Sequence, residues 1–156
     1  MNEDKFPLAL SYDDVLLVPQ YSTVNSRSDI DLTTKISKTI ELKIPLMTIN
    51  MDCVTGVKMA INVGKIGGIG ILPRFDKPEI QANKVSQVKK SGVLTCAAIG
   101  IKEGFLGRAE MLVNAGADIL TIDVAHGHLE KAIEATKNLK DKFGENFTII
   151  SGVIGT

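Results

Sequence analysis

The chain has 156 residues, 44% of them hydrophobic and 23% charged, a balance ordinary for one globular domain with a sizeable core. Eighteen basic and eighteen acidic residues cancel, which excludes recruitment of nucleic acid or an anionic membrane by charge alone and leaves small ligands as the expected partners. No apolar run approaches the roughly 20 residues that span a bilayer, and the N-terminal MNEDKFP carries no signal-peptide core, so no membrane partner and a cytoplasmic location are expected.

Residues 8–40 read as an extended, turn-rich arm, after which short apolar runs alternate with longer amphipathic stretches. Residues 44–50 are expected as a first buried strand, with Thr55 capping a helix that carries Val57, Met59, Ala60, Ile61 and Val63 and stops at Gly64. Residues 68–72 form a second strand, 78–90 a second helix and 93–99 a third strand. Gly67, Gly68 and Gly70 point to close packing there. A third helix over 104–115 ends at Gly116, a fitting C-terminal cap, and a fourth strand follows over 118–123. The fourth helix is the clearest, since Leu129, Ala132, Ile133, Thr136, Leu139 and Phe143 recur at three- and four-residue steps against a charged opposite face. Gly144 ends it, and a fifth strand spans 147–151.

Continuous apolar strands separated by helices imply a parallel sheet buried on both faces. Two architectures fit: a doubly wound open sheet, complete with five strands, and a (βα)8 barrel, which takes about 250 residues. A dinucleotide loop after the first strand is missing at residues 50–56, which counts against a Rossmann domain, and the glycines at 67–70 precede and enter a strand instead of linking strand to helix. In either architecture chemistry gathers where strands end. Asp123 and His126, directly after the fourth strand, are the first candidates. Cys53 and Cys96 form no metal signature and are expected as reduced, mostly buried thiols, and no metal site is expected.

Five stretches in order resemble the family of IMP dehydrogenase and GMP reductase: LSYDDVLLVP at 10–19, NMDCVT at 50–55, GGIGI at 67–71, AGAD at 115–118 and IDVAHGH at 122–128. The resemblance runs through nearly the whole chain. It implies an α/β fold, the N-terminal portion of a (βα)8 TIM barrel with about five strands behind an extended arm. It further implies redox chemistry at C2 of a purine nucleotide, either IMP oxidised with NAD or GMP reduced and deaminated with NADPH.

Carried over by position, the resemblance sets Asn50 and Met51 against the nucleotide and Asp123, Val124 and Ala125 against the nicotinamide cofactor, NADP or NAD. Asp123 would accept hydrogen bonds from ribose hydroxyls, a task suited to an acceptor-only carboxylate; its structural alternative is a cap on the fourth helix. Asp52, His126 and Gly152 are expected as supporting loop residues, with His126 bracing its loop through backbone carbonyls or donating to a ligand. His128 is expected at the helix start, facing solvent. Asp13 and Asp14 would pin the arm to the barrel, and Arg27 would form a structural salt bridge. The family's catalytic cysteine loop follows the sixth strand, so no catalytic residue is assigned in this chain.

Two features separate this sequence from the family pattern: Val153 follows Gly152 where asparagine is usual, and Cys53 stands where threonine is usual. Residues 81–94 run straight on with no room for the paired regulatory domains of most of the dehydrogenases. That feature, with residues 26–29 and 50–52, leans towards the reductase, whereas residues 17–19 and 67–71 look more dehydrogenase-like. Residues 1–156 are expected to be one partial catalytic barrel domain, cut short at its C-terminal end and inactive alone, with exposed sheet edges and an uncovered inner face. The resemblance implies a homo-tetramer for the intact protein. The competing class is a non-catalytic module that binds a nucleotide or completes a barrel with a second chain.

Overall fold

The computed structural model describes residues 9–152, and the chain divides into two compact units, one up to Asp31 and one from Leu32 onwards. In the first, two 3-10 turns, Tyr12–Asp14 and Arg27–Asp29, break an otherwise irregular path. Each is closed by a serine three residues before an aspartate: the Ser11 N–H donates to Asp14 Oδ2 at 2.7 Å and the Ser26 N–H to Asp29 Oδ2 at 3.2 Å. The Ser11 backbone N–H, and after it the Ser11 hydroxyl, hold the Asp14 carboxyl below its ordinary range. Asp14 thus serves a local turn, and Arg27 makes no salt bridge among the described residues, contrary to the expectation for it.

The second unit opens with a hairpin of β1 (Thr34–Lys35) and β2 (Glu41–Leu42), so the last part of the expected arm belongs to the folded body. There follow β3 (Met47–Thr48), α1 (Val57–Lys65), β4 (Ile69–Leu72), α2 (Pro78–Lys90), β5 (Cys96–Ile99), α3 (Phe105–Asn114), β6 (Ile119–Ile122), α4 (Glu130–Phe143) and β7 (Thr148–Ser151). The five later strands form one parallel sheet in chain order, β3-β4-β5-β6-β7. A doubly wound sheet reverses direction at a switch point. This one never reverses, which is the arrangement of a partial (βα)8 barrel wall.

Every residue of β4, β5 and β6 is buried, because each strand packs on both faces and side chains alternate between them. Leu72, Ala97, Ile99, Leu120 and Ile122 point to the helices and meet Val85, Val88, Leu112 and Leu139. Ile69, Ile71, Cys96, Ala98 and Ile119 form the opposite face, where Leu42 of the hairpin, with Ile36 and Ile40, packs over them. The inner face is therefore covered near the strands' N-terminal ends. Thr148 Oγ1 and Ser37 Oγ, 2.8 Å apart, tie the hairpin to β7.

The first strand departs from expectation. β3 has two residues instead of seven, with Met47 39% and Ile49 54% exposed, because it is the outermost strand and pairs with β4 alone. Gly64 lies inside α1, where the missing side chain admits Val93; a Cβ there would stand 2.6 Å from Val93 Cβ. The chain turns instead at Gly67, whose φ of 93° favours glycine. Thr55 is not the cap of α1 either. Gly56 takes that position, while the fully buried Thr55 hydroxyl bonds to the Ile49 carbonyl (2.5 Å) and to Thr48 Oγ1 (2.8 Å).

Candidate functional site

Parallel register sets the strands' carboxyl ends side by side. Ile99 pairs with Ile122 and Ile122 with Ser151, so the residues that follow share one rim. The Asp123 N–H donates to the Ile99 carbonyl at 2.8 Å, fixing the first residue beyond β6 against the end of β5. The Gly152 N–H reaches the Ile122 carbonyl at 3.5 Å on the other side. Asp123 and Gly152 are thus neighbours on the rim. Asn50 and Met51 follow β3, with β4 and β5 between them and the Asp123 strand.

The β3 rim turn is held from within: the Val54 and Thr55 N–H groups both donate to the Met51 carbonyl at 2.9 Å, and Thr55 anchors the turn to β3. Met51 is left 47% exposed. Asp52 is exposed and makes no hydrogen bond among the described residues, so the brace expected of it is supplied by Thr55. Cys53 is exposed, contrary to the expectation of burial, because the turn carries it away from the sheet; Cys96 is buried on the inner face. Burial pushes the Cys96 thiol up to about 12.

Asp123 does not cap α4, whose N-cap is Leu129 with no side-chain cap. Its Oδ2 accepts a 2.8 Å hydrogen bond from Arg74 Nε, an ion pair of two partly exposed side chains, 33% for Arg74 and 25% for Asp123. Oδ1 has no partner among the described residues. Val124 is half-buried, and Ala125, His126 and His128 are exposed. His126 makes no hydrogen bond among the described residues, so the bracing contact expected of it is not formed. Val153 lies outside the described residues.

Arg74 was not among the sequence candidates, and neither were the two side chains that hold its loop. Gln81, fully buried on α2, donates from Nε2 to the Pro73 carbonyl (2.9 Å) and the Ala98 carbonyl (2.8 Å). Its Oε1 accepts from Arg108 Nε of α3 at 2.8 Å, and Arg108 Nη2 donates to the carbonyls of Arg74 (2.8 Å) and Asp76 (2.9 Å). Burial first, and then the like charge of Arg74, pull the Arg108 guanidinium below its ordinary value, opposed by Asp76 and Glu79. A sequence signal for Gln81 existed: it shares the apolar spacing of Val85 and Val88, so a polar side chain had to enter the core. Arg74, two residues beyond a fully buried strand, was legible as a rim residue but not as the partner of Asp123.

Beside the ion pair lies an open cleft lined by Arg74, Gly100, Lys102, Glu103, Phe105 and Arg108. A second hollow, lined by Ser37, Thr39, Lys140, Glu145, Asn146 and Thr148, sits at the strands' N-terminal ends, away from the rim. Among the described residues no three histidine, cysteine or acidic side chains come together to hold a metal, and no helix is long and apolar enough to cross a membrane. The rim offers a carboxylate with one oxygen unpartnered among the described residues, beside a cleft of mixed charge, an arrangement suited to a polyhydroxylated ligand.

The sequence is similar to those of several purine nucleotide enzymes. The chain is 34% identical to GMP reductase of Enterococcus faecalis over 93% of its own length and 44% of that protein, in an alignment of 147 residues. It is 33% identical to inosine-5'-monophosphate dehydrogenase of Cryptosporidium parvum over 94% of its length and 46% of that protein. The corresponding dehydrogenase of Nitrosopumilus maritimus is 28% identical over 97% of the chain and 58% of that protein, and there the alignment extends over 276 residues. The chain thus spans about half the length of the curated relatives it matches. The sequence profile of the IMP dehydrogenase / GMP reductase domain matches residues 9–156. With that match over almost the full length, and a singly wound parallel sheet that carries its acid at a strand end, the chain belongs to the IMP dehydrogenase / GMP reductase family.

Proposed function

We propose that the intact protein is a purine nucleotide oxidoreductase acting at C2 of the base, and that it is a GMP reductase. In that reaction hydride from NADPH replaces the amino group at C2 of GMP, which takes up a proton from water and leaves as ammonia, and IMP and NADP are formed. The observation that carries the lean is continuity. Helix α2 runs unbroken over Pro78–Lys90 and a short turn leads into β5, with no inserted domain. The near gap-free alignment with the Enterococcus reductase supports the same reading, whereas alignment with the Nitrosopumilus dehydrogenase needs 276 positions for a chain of 156. The alternative, IMP oxidised with NAD, is supported by the dehydrogenases among the relatives.

In this reading Asn50 and Met51 lie against the nucleotide, and Asp123, with Val124 and Ala125, faces the cofactor. The open Oδ1 of Asp123 accepts from the hydroxyls of a ribose, while Oδ2 stays on Arg74. The nicotinamide supplies the hydride; the residues of this chain bind and orient. A homo-tetramer in the cytoplasm belongs to the same proposal. The test is an assay of the complete reading frame with GMP plus NADPH and with IMP plus NAD. Turnover with the first pair is expected. Turnover with the second pair alone makes the protein a dehydrogenase, and nucleotide binding with no turnover on either pair would sink the enzymatic reading.

A further inference from the structure

The loop that presents Arg74 is fixed to an unusual degree. Three of its carbonyls, those of Pro73, Arg74 and Asp76, accept hydrogen bonds from side chains anchored on two helices, Gln81 on α2 and Arg108 on α3. Gln81 spends both an Nε2 pair of bonds and its Oε1 on this arrangement and ties it to the end of β5 through the Ala98 carbonyl. Lys84 Nζ adds a 2.6 Å ion pair to Asp76. The Arg74 guanidinium then passes over Gly100, 3.7 Å from where a Cβ would stand, and reaches Asp123 with Nε alone.

Arginine usually grips a carboxylate with two parallel N–H groups, which occupies both oxygens. Here a single N–H takes one oxygen, and the other has no partner among the described residues. That outcome depends on where the Arg74 backbone is held, since a guanidinium on a free loop would settle into the two-point grip. Resting on the assignment of Asp123 to the cofactor ribose, we propose that Arg108, acting through Gln81 and the carbonyls of Pro73, Arg74 and Asp76, is a positioning residue that orients Asp123 for the cofactor by restricting Arg74 to one carboxylate oxygen.

The complete protein, as wild type and as Arg108→Lys, Gln81→Met, Asp123→Asn and the double variant Arg108→Lys with Asp123→Asn, tests this, with NADPH and NAD as probes in calorimetric Kd measurements and in KM. Lysine keeps the charge but cannot form the three-point fork. Arg108→Lys is expected to weaken the better cofactor by about tenfold and to leave nucleotide affinity within about twofold. In the Asp123→Asn background the same substitution should add less than about twofold, because the group it positions is already altered. If Asp123→Asn leaves cofactor affinity unchanged, the ribose assignment fails and the inference falls with it. If Asp123→Asn weakens the cofactor but Arg108→Lys and Gln81→Met do not, the ribose assignment stands and the positioning role is overturned. Equal losses for cofactor and nucleotide, or undiminished loss in the double variant, would also overturn it. Should Arg108→Lys fail to fold, Gln81→Met carries the same comparison.

Discussion

Single side chains at the rim and on the inner face behave according to what surrounds them. The two thiols are the plainest case, since Cys53 stands exposed in a turn and Cys96 is enclosed between β5 and β6 with Thr121 Oγ1 3.2 Å from its sulfur. Mild alkylation of the native protein followed by peptide mass mapping should modify the Cys53 peptide and leave the Cys96 peptide untouched until denaturant is added. Equal labelling of both would show that the inner face is open. The raised thiol also has a pH signature. Between its ordinary value of 9.0 and about 12 the unfolded chain has lost this proton and the folded chain has kept it. Its contribution to stability is therefore whole below pH 9 and disappears as pH rises towards 12. At this scale Asp123 was legible, because a charged residue directly after a buried apolar run announces itself. Its partner was not, since nothing local in Arg74 tells that its side chain crosses Gly100 to an acid 49 positions away.

Elements were read more surely than their contacts. The second helix and the fourth were readable because their periodicity is local and their ends carry Pro78, whose φ is fixed, and Gly144, which tolerates a φ of 84°. The first strand and the start of α1 were misread for a tertiary reason: an edge strand stays short and half-wet, and Thr55 finds a better acceptor in the strand than at a helix end. Glycines separate the two kinds of information. In β4 a Cβ on Gly70 would lie 2.6 Å from Ala60 Cα, so Gly70→Ala must push α1 off the sheet and is expected to cost about 1–3 kcal/mol. Gly107 in α3 has nothing within 4 Å of its Cβ position, and Gly107→Ala should stabilise by roughly 0.5–1 kcal/mol. Urea unfolding followed by circular dichroism checks both; a midpoint for Gly70→Ala equal to that of the parent would contradict the packing argument.

For the whole molecule the decisive fact is the strand order. Among the described residues, five parallel strands in chain order form a wall with two outer strands, β3 and β7, each paired on one side only. The hairpin around Leu42 covers the inner face near the strands' N-terminal ends, so that part of the surface is not bare as expected. Light scattering of the complete protein is expected to report a tetramer, as proposed with the family's activity; a strict monomer at micromolar concentration would refute that part of the proposal.

By itself the sequence determined the alternation of strand and helix, the parallel character of the sheet and the membership in a family, because each rests on periodicity, on turn residues or on ordered motifs that need no partner to be recognised. It also put an acid at a strand end. Periodicity alone left an open sheet and a barrel wall both possible, the family motifs pointed to the barrel and the strand order agrees; only the tertiary structure exposed Cys53 and joined Asp123 to Arg74 through a loop held by Gln81 and Arg108. Those outcomes depend on which distant groups the closed chain brings within hydrogen-bond reach, a long-range property that local pattern does not encode.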